Sequence, residues 1–136
     1  MELRVALRGS PGDPECSSLL GYLYALEGIN LDEAAELVTV ARRADPGDGR
    51  YLRAEGWVRY RQGRVGEALR LLESAALHAP GPQVYEHLGD ACYALGLWAR
   101  ARRAWQRALE LEPGRAGTSR RLERLGAKAA GGRKER

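Results

Sequence analysis

The sequence predicts an all-α fold, an α-solenoid of antiparallel helix pairs, and three observations lead there. Good helix formers (Ala, Leu, Arg, Glu) dominate, β-branched residues are scarce and Phe is absent. Small residues recur in register: Ala34, Ala68 and Ala101 correspond, as do Ala41, Ala75 and Ala108, with steps of 34 and 33 residues. Pro46, Pro80 and Pro113 repeat at the same steps, so each unit closes on a residue that cannot continue a helix.

The elements follow in order. In residues 1–14, Leu3, Ala6 and Leu7 stand at helical spacing before Pro11, which precedes Pro46 by 35 residues. This stretch reads as the remnant of a preceding repeat helix and its loop, and the chain as a C-terminal piece of a longer array. Repeat 1 (15–48) is expected to hold helices at 15–27 and 31–44, with Asn30 and Asp32 as caps of the second. Repeat 2 (49–81) holds helices at 50–62 and 65–78, and repeat 3 (82–114) at 82–95 and 98–111. Gly28, Gly63 and Gly96 fall at the chain reversals, where a left-handed residue is often required. Gly21, Gly56 and Gly89 recur inside the first helices at steps of 35 and 33, where paired helices must approach closely. Residues 115–130 form a basic capping helix, with Leu122, Leu125 and Ala129 on one face from Thr118 onward. Residues 131–136 are expected to be a disordered tail.

The stretch VYEHLGDACYALGLWARARRAWQRALELEP, Val84 to Pro113, concentrates the pattern. Tyr85, Leu88, Gly89, Ala101, Trp105, Ala108 and Pro113 stand in one register, with Cys92 where Tyr is usual. It resembles the tetratricopeptide repeat, a helix-turn-helix unit of about 34 residues. Residues 10–113 also resemble the C-terminal repeats of a bacterial group of tetratricopeptide adaptor proteins, some of them envelope-associated. Glu55 departs from that pattern, standing where Leu usually precedes Gly56, and is expected to loosen its hairpin.

The resemblance implies a non-catalytic interaction scaffold or adaptor whose first helices line a concave groove for a partner peptide or helix. Counted from the repeat landmarks, the groove candidates of repeat 1 are Ser18, Tyr22, Ala25 and Leu26. Repeat 2 offers Arg50, Arg53, Trp57, Tyr60 and Arg61; repeat 3 offers Gln83, Glu86, His87, Asp90 and Tyr93. Arg120, Arg121 and Arg124 border them from the cap. Aromatic residues and Arg recur as energetic centres of interfaces, so Trp57 and Tyr60 are expected as apolar anchors and Arg53 and Arg61 as partners for carboxylates. The competing reading makes the two aromatics inter-repeat packing and the arginines a solvated face. Family members that clamp the acidic C-terminus of heat-shock chaperones use Lys, Asn and Arg at positions occupied here by Ser18, Tyr22, Trp57, Gln83 and His87. None matches, so the resemblance disfavours that partner.

Charge is unevenly placed. Gly114 to Arg136 carries eight Lys or Arg and two acids, a net of +6, whereas the first 113 residues carry 14 basic and 16 acidic residues, a net of −2. A second reading therefore has the basic C-terminal helix and tail, with Arg100, Arg102, Arg103 and Arg107, bind nucleic acid or another anionic surface. The absence of aromatic residues from the tail argues against it. A third has the uncapped N-terminal repeat self-associate as a homodimer through Leu19, Leu23, Leu37 and Val38.

Catalysis finds little support. His78 falls at a helix end, where it favours the terminal carbonyls, and Glu86 and Asp90 at i, i+4 read as surface charge. With no nucleophile motif, phosphate loop or metal spacing, no enzyme, cofactor or metal is expected. Cys16 and Cys92 read as small buried hydrophobes of a reducing compartment. No apolar run reaches the ~18 residues of a membrane span and Arg4 and Arg8 interrupt the N-terminus, so a cytoplasmic location is expected, with envelope association if the chain is part of a longer protein.

Overall fold

The computed structural model describes residues 12–131, with side chains through Lys128. The expected helical remnant at residues 1–11, the tail at 132–136 and the Ala129 side chain lie outside the described residues. Seven helices and no strand occur among the described residues: α1 Pro14–Glu27, α2 Leu31–Ala44, α3 Gly49–Arg61, α4 Val65–His78, α5 Pro82–Ala94, α6 Trp98–Leu111 and α7 Ala116–Gly131. The chain divides into two compact units at Ala79 and Pro80.

In the first unit α1 packs on α2, α3 on α4, and α3 also lies against both helices of the first hairpin. Asp13 starts α1 by accepting from the backbone N–H groups of Glu15 (3.0 Å) and Cys16 (3.4 Å), so Asp13 and Pro14 open the helix instead of closing a preceding loop. Asp48 caps α3 in the same way through the Arg50 N–H at 2.9 Å. Asn30 precedes α2 in a left-handed conformation (φ 49°) and makes no side-chain cap bond, so its contribution is the turn, not the cap expected of it.

The reversals use Gly28 (φ 72°) and Gly63 (φ 88°), a region that side chains with a Cβ rarely adopt. Gly21 and Gly56 serve close approach. A Cβ on Gly21 would stand 2.7 Å from Val38 Cγ1, and one on Gly56 2.8 Å from Leu72 Cγ. The core built there contains Leu20, Tyr24, Ala25, Ala34, Val38, Ala54, Trp57 and Val58.

Glu55 is 3% exposed, yet it does not face an apolar gap. Arg42 of α2 reaches its carboxylate, Arg59 approaches it at 3.5 Å, and Arg59 in turn meets Glu67 of α4 at 3.4 Å. The loosening expected of Glu55 thus gives way to an ionic bridge across α2, α3 and α4.

In the second unit α5 packs on α6 and α6 on α7. Gly96 (φ 76°) turns the hairpin, and Gly89 leaves the space that the Trp105 ring fills. Ala101, Ala104, Trp105 and Ala108 are the buried side of α6, and Leu125 anchors α7 with no exposure.

Candidate functional site

The groove candidates separate into two groups. In the first unit, Ser18 and Tyr22 of α1 and Arg50 and Arg53 of α3 line one cleft of about 190 Å³, together with Glu15, Leu19, Tyr51 and Ala54. The turn register explains this, since Ser18 and Tyr22 lie one helical turn apart, as do Arg50 and Ala54. Leu19 is 46% exposed, which makes it an apolar contribution that counting from the repeat landmarks missed. Its signal was available, because it lies one turn from Leu23 on the same helix face.

Within the cleft the two arginines differ. Arg50 contacts Glu15 at 2.8 Å and Asp48 at 2.8 Å, its guanidinium held by two carboxylates. The side-chain hydrogen bond from Arg50 leads in lowering the Asp48 carboxyl below its ordinary range, against the opposing effect of burial. The Arg53 guanidinium instead lies over the Tyr22 ring, 4.6 Å from its centroid.

Trp57 and Tyr60 fall outside this cleft. Trp57 is 7% exposed in the core and its ring stacks on Tyr60 at 4.6 Å with 9° between planes. Tyr60 is half-buried and packs against the same core. Arg61 is exposed and lays its guanidinium against Gly28 at the α1–α2 reversal. Ala25 is buried, whereas Leu26 is exposed. Of the residues expected to mediate self-association, Leu19 and Leu23 are exposed, Leu37 is half-buried and Val38 is wholly inside the core.

In the second unit Glu86 and Asp90 are not the surface charges expected. Asp90 is 8% exposed and accepts from Trp105 Nε1 at 3.2 Å and Arg121 Nε at 2.9 Å. Glu86 accepts from Thr118 Oγ1 and meets Arg115 at 3.3 Å and Arg121 at 3.6 Å. The two carboxylates therefore fasten α7 to α5. Burial pushes the Asp90 carboxyl up to about 6; Arg121 opposes the shift and Glu86 adds to it. Glu86, His87 and Asp90 stand close enough to group around a cation, with ligand atoms within 4.8 Å of one another. Arg115, Arg121 and Thr118 already engage those carboxylates, so a cation would have to compete with two guanidinium groups.

His87 is buried, Gln83 exposed, and Tyr93 half-buried with Trp98 edge-on at 4.8 Å and Trp105 at 5.7 Å. Arg120 and Arg124 are exposed on α7, and Lys128 lies over Trp98 at 5.1 Å. Arg115, Thr118 and Trp105 are the participants that sequence reasoning did not assign here. Their partners depend on how α7 docks, which no local spacing encodes.

Both cysteines are free; Cys92 is buried, while Cys16 is half-buried with its thiol 3.6 Å from Asp13 Oδ2. Burial, followed by the Asp13 charge, raises the Cys16 thiol above its ordinary range. His78 Nδ1 lies 2.9 Å from the Ser74 carbonyl, as its place at a helix end suggests. No described helix is long and apolar enough to cross a membrane.

Comparison with known proteins adds three findings. A family model described as Tetratricopeptide repeat matches residues 53–117. A TPR repeat-containing protein of Pseudomonas aeruginosa is 34% identical over 89 residues, 65% of this chain. The match spans only 15% of that relative's length. Among solved structures, the first TPR of Spaghetti (RPAP3), bound to an HSP90 peptide, is similar with a TM-score of 0.78 at 23% identity, covering 86% of this chain and 93% of that one. Pseudomonas aeruginosa pilF is similar with a TM-score of 0.79 at 24% identity, covering 94% of this chain and 59% of that one. At these identities the structural likeness bears on the fold alone.

Proposed function

Because the chain belongs to the tetratricopeptide repeat family, we propose that it is a non-catalytic interaction module that takes a partner segment in the cleft between α1 and α3. The observation that carries this reading is the pairing of Arg53 with Tyr22 across a cleft that also exposes Leu19. A guanidinium held over an aromatic face keeps its outward N–H groups for a carboxylate or backbone carbonyl, while Leu19 supplies apolar area. Arg50 contributes less as a binding group, since two carboxylates already hold it. The fold-level likeness to a domain whose structure holds an HSP90 peptide supports a peptide as the class of partner. The acidic chaperone C-terminus itself remains disfavoured, because the cleft presents Ser18 and Tyr22 where the clamping members use Lys and Asn.

The test is affinity capture from native extract with the wild-type chain beside a Tyr22→Ala, Arg53→Glu variant, both checked for helicity by circular dichroism. A protein retained by the wild type and lost by the folded variant supports the cleft and identifies the partner. Identical capture by both overturns the cleft as the binding site.

A further inference from the structure

The geometry points to a second docking surface on the α5–α6 hairpin, one that takes an acidic peptide segment with an apolar side chain between its carboxylates. This hairpin carries a cleft of about 230 Å³. Its floor is apolar, made by Leu88 and Cys92, with Tyr85 beside them, and its rim is Arg100, Arg103 and Arg107 of α6. Spacings of three and four residues put these guanidinium groups on one face of the helix, while Ala101, Trp105 and Ala108 are buried. At 1.5 Å rise per residue the row from Arg100 to Arg107 is about 10 Å long. In an extended segment residues i, i+2 and i+4 share one face over about 13 Å, so carboxylates two positions either side of one apolar side chain can straddle the row while that side chain meets the floor.

Charge decides the kind of occupant. Among the described residues that line this cleft there are three arginines and no carboxylate. Arg103 is exposed, and the side chain of Arg107 is 53% exposed, with Glu110 at 3.0 Å as an ion-pair partner and Tyr85 beneath it. The cleft between α1 and α3 is different, since a carboxylate, Glu15, belongs to its lining and pairs with Arg50. The described residues from Pro80 to Lys128 add to the field, with nine Lys or Arg against five Asp or Glu. The apolar floor favours a peptide over a phosphate backbone. Stacking on bases has little to work with, because Arg107 lies 5.9 Å over the centroid of the Tyr85 ring. This surface shares no residue with the α1–α3 cleft, and it stands or falls independently of it.

The test uses the full chain and fluorescence anisotropy of a labelled peptide containing Glu-Glu-Leu-Glu-Glu, beside its counterpart with Gln for every Glu. Expected is salt-sensitive binding of the acidic peptide, about tenfold weaker for the Gln peptide and for an Arg103→Ala, Arg107→Ala variant. An Arg103→Lys, Arg107→Lys variant keeps the charge and should recover most of the affinity, which separates charge recognition from a folding defect. Binding lost in a Tyr22→Ala, Arg53→Glu variant but kept in the double alanine variant would move the peptide to the α1–α3 cleft and overturn the proposal. Equal binding of the two peptides, or no effect of the double alanine variant, overturns the proposal. So does tighter binding of a single-stranded oligothymidine that displaces the peptide, which would assign the arginines to nucleic acid.

Discussion

Trp105 donates its indole N–H to the Asp90 carboxylate at 3.2 Å, and Arg121 of the terminal helix meets the same group at 2.9 Å. A helix–helix contact inside the hairpin and the attachment of the cap thus share one buried acid. Its carboxyl lies near 6, well above the ordinary aspartate value of about 3.9, because burial outweighs the help of Arg121.

The sign of the pH dependence follows. Between about pH 4 and 6 the folded chain holds a proton on Asp90 that the unfolded chain has released, so this group makes folding more favourable as pH falls through that window. Above pH 6 the buried charge is a cost of folding. Asp90→Asn keeps an acceptor for Trp105 and removes the charge. It should stabilise the second unit at pH 7.5, on the order of 2 kcal/mol, and flatten its stability between pH 4 and 6. Thermal melts across that range check it; a variant less stable than wild type at pH 7.5 would show that the Arg121 pair outweighs desolvation.

Gly89 leaves the space beside the Trp105 ring, and a Cβ there would collide with the indole. Gly89→Ala should therefore cost about 1–3 kcal/mol, although alanine is the better helix former. Gly66, which has open space around it, is the control: Gly66→Ala should be neutral or stabilising. Urea denaturation of the two variants reads the contrast directly.

Thr118 is wholly buried and donates its hydroxyl to Glu86, which also meets Arg115 and Arg121. Thr118→Val preserves shape and deletes one charge-assisted hydrogen bond, so about 1.5–3 kcal/mol should be lost. Amide exchange should speed up first in α7, because that helix is what the bond holds.

Helices, reversals and hairpin glycines were legible in the sequence because each is set locally. The 34- and 33-residue steps of Ala and Pro place the helix ends, and Gly28, Gly63 and Gly96 do adopt positive φ. The site was legible only in part. Tyr22, Trp57 and Asp90 each follow a landmark glycine, yet only Tyr22 lines the α1–α3 cleft. Trp57 is drawn into the core by its stack on Tyr60, and Asp90 is enclosed by Trp105 and Arg121. Register fixes the side of a helix that a residue occupies. What covers that side depends on the side-chain volumes and charges of neighbours distant in sequence, which is also why Glu55 found Arg42 instead of an apolar partner.

The same contrast sets the last expectation, on which variants can report binding. Trp57 is 7% exposed, so Trp57→Ala should cost about 3–5 kcal/mol and unfold or loosen the first unit. Loss of a partner in that variant would then reflect lost structure. Tyr22 is half-buried at the cleft wall with Arg53 over its ring, so Tyr22→Ala should lower stability by a smaller amount, about 1–2 kcal/mol, and leave the helical signal intact. If the cleft is the binding surface, Tyr22→Ala abolishes capture while its melt remains cooperative, whereas Trp57→Ala loses both together. Melting curves and capture measured on the same preparations separate the two: a Tyr22→Ala chain that keeps its partner would place the contact elsewhere.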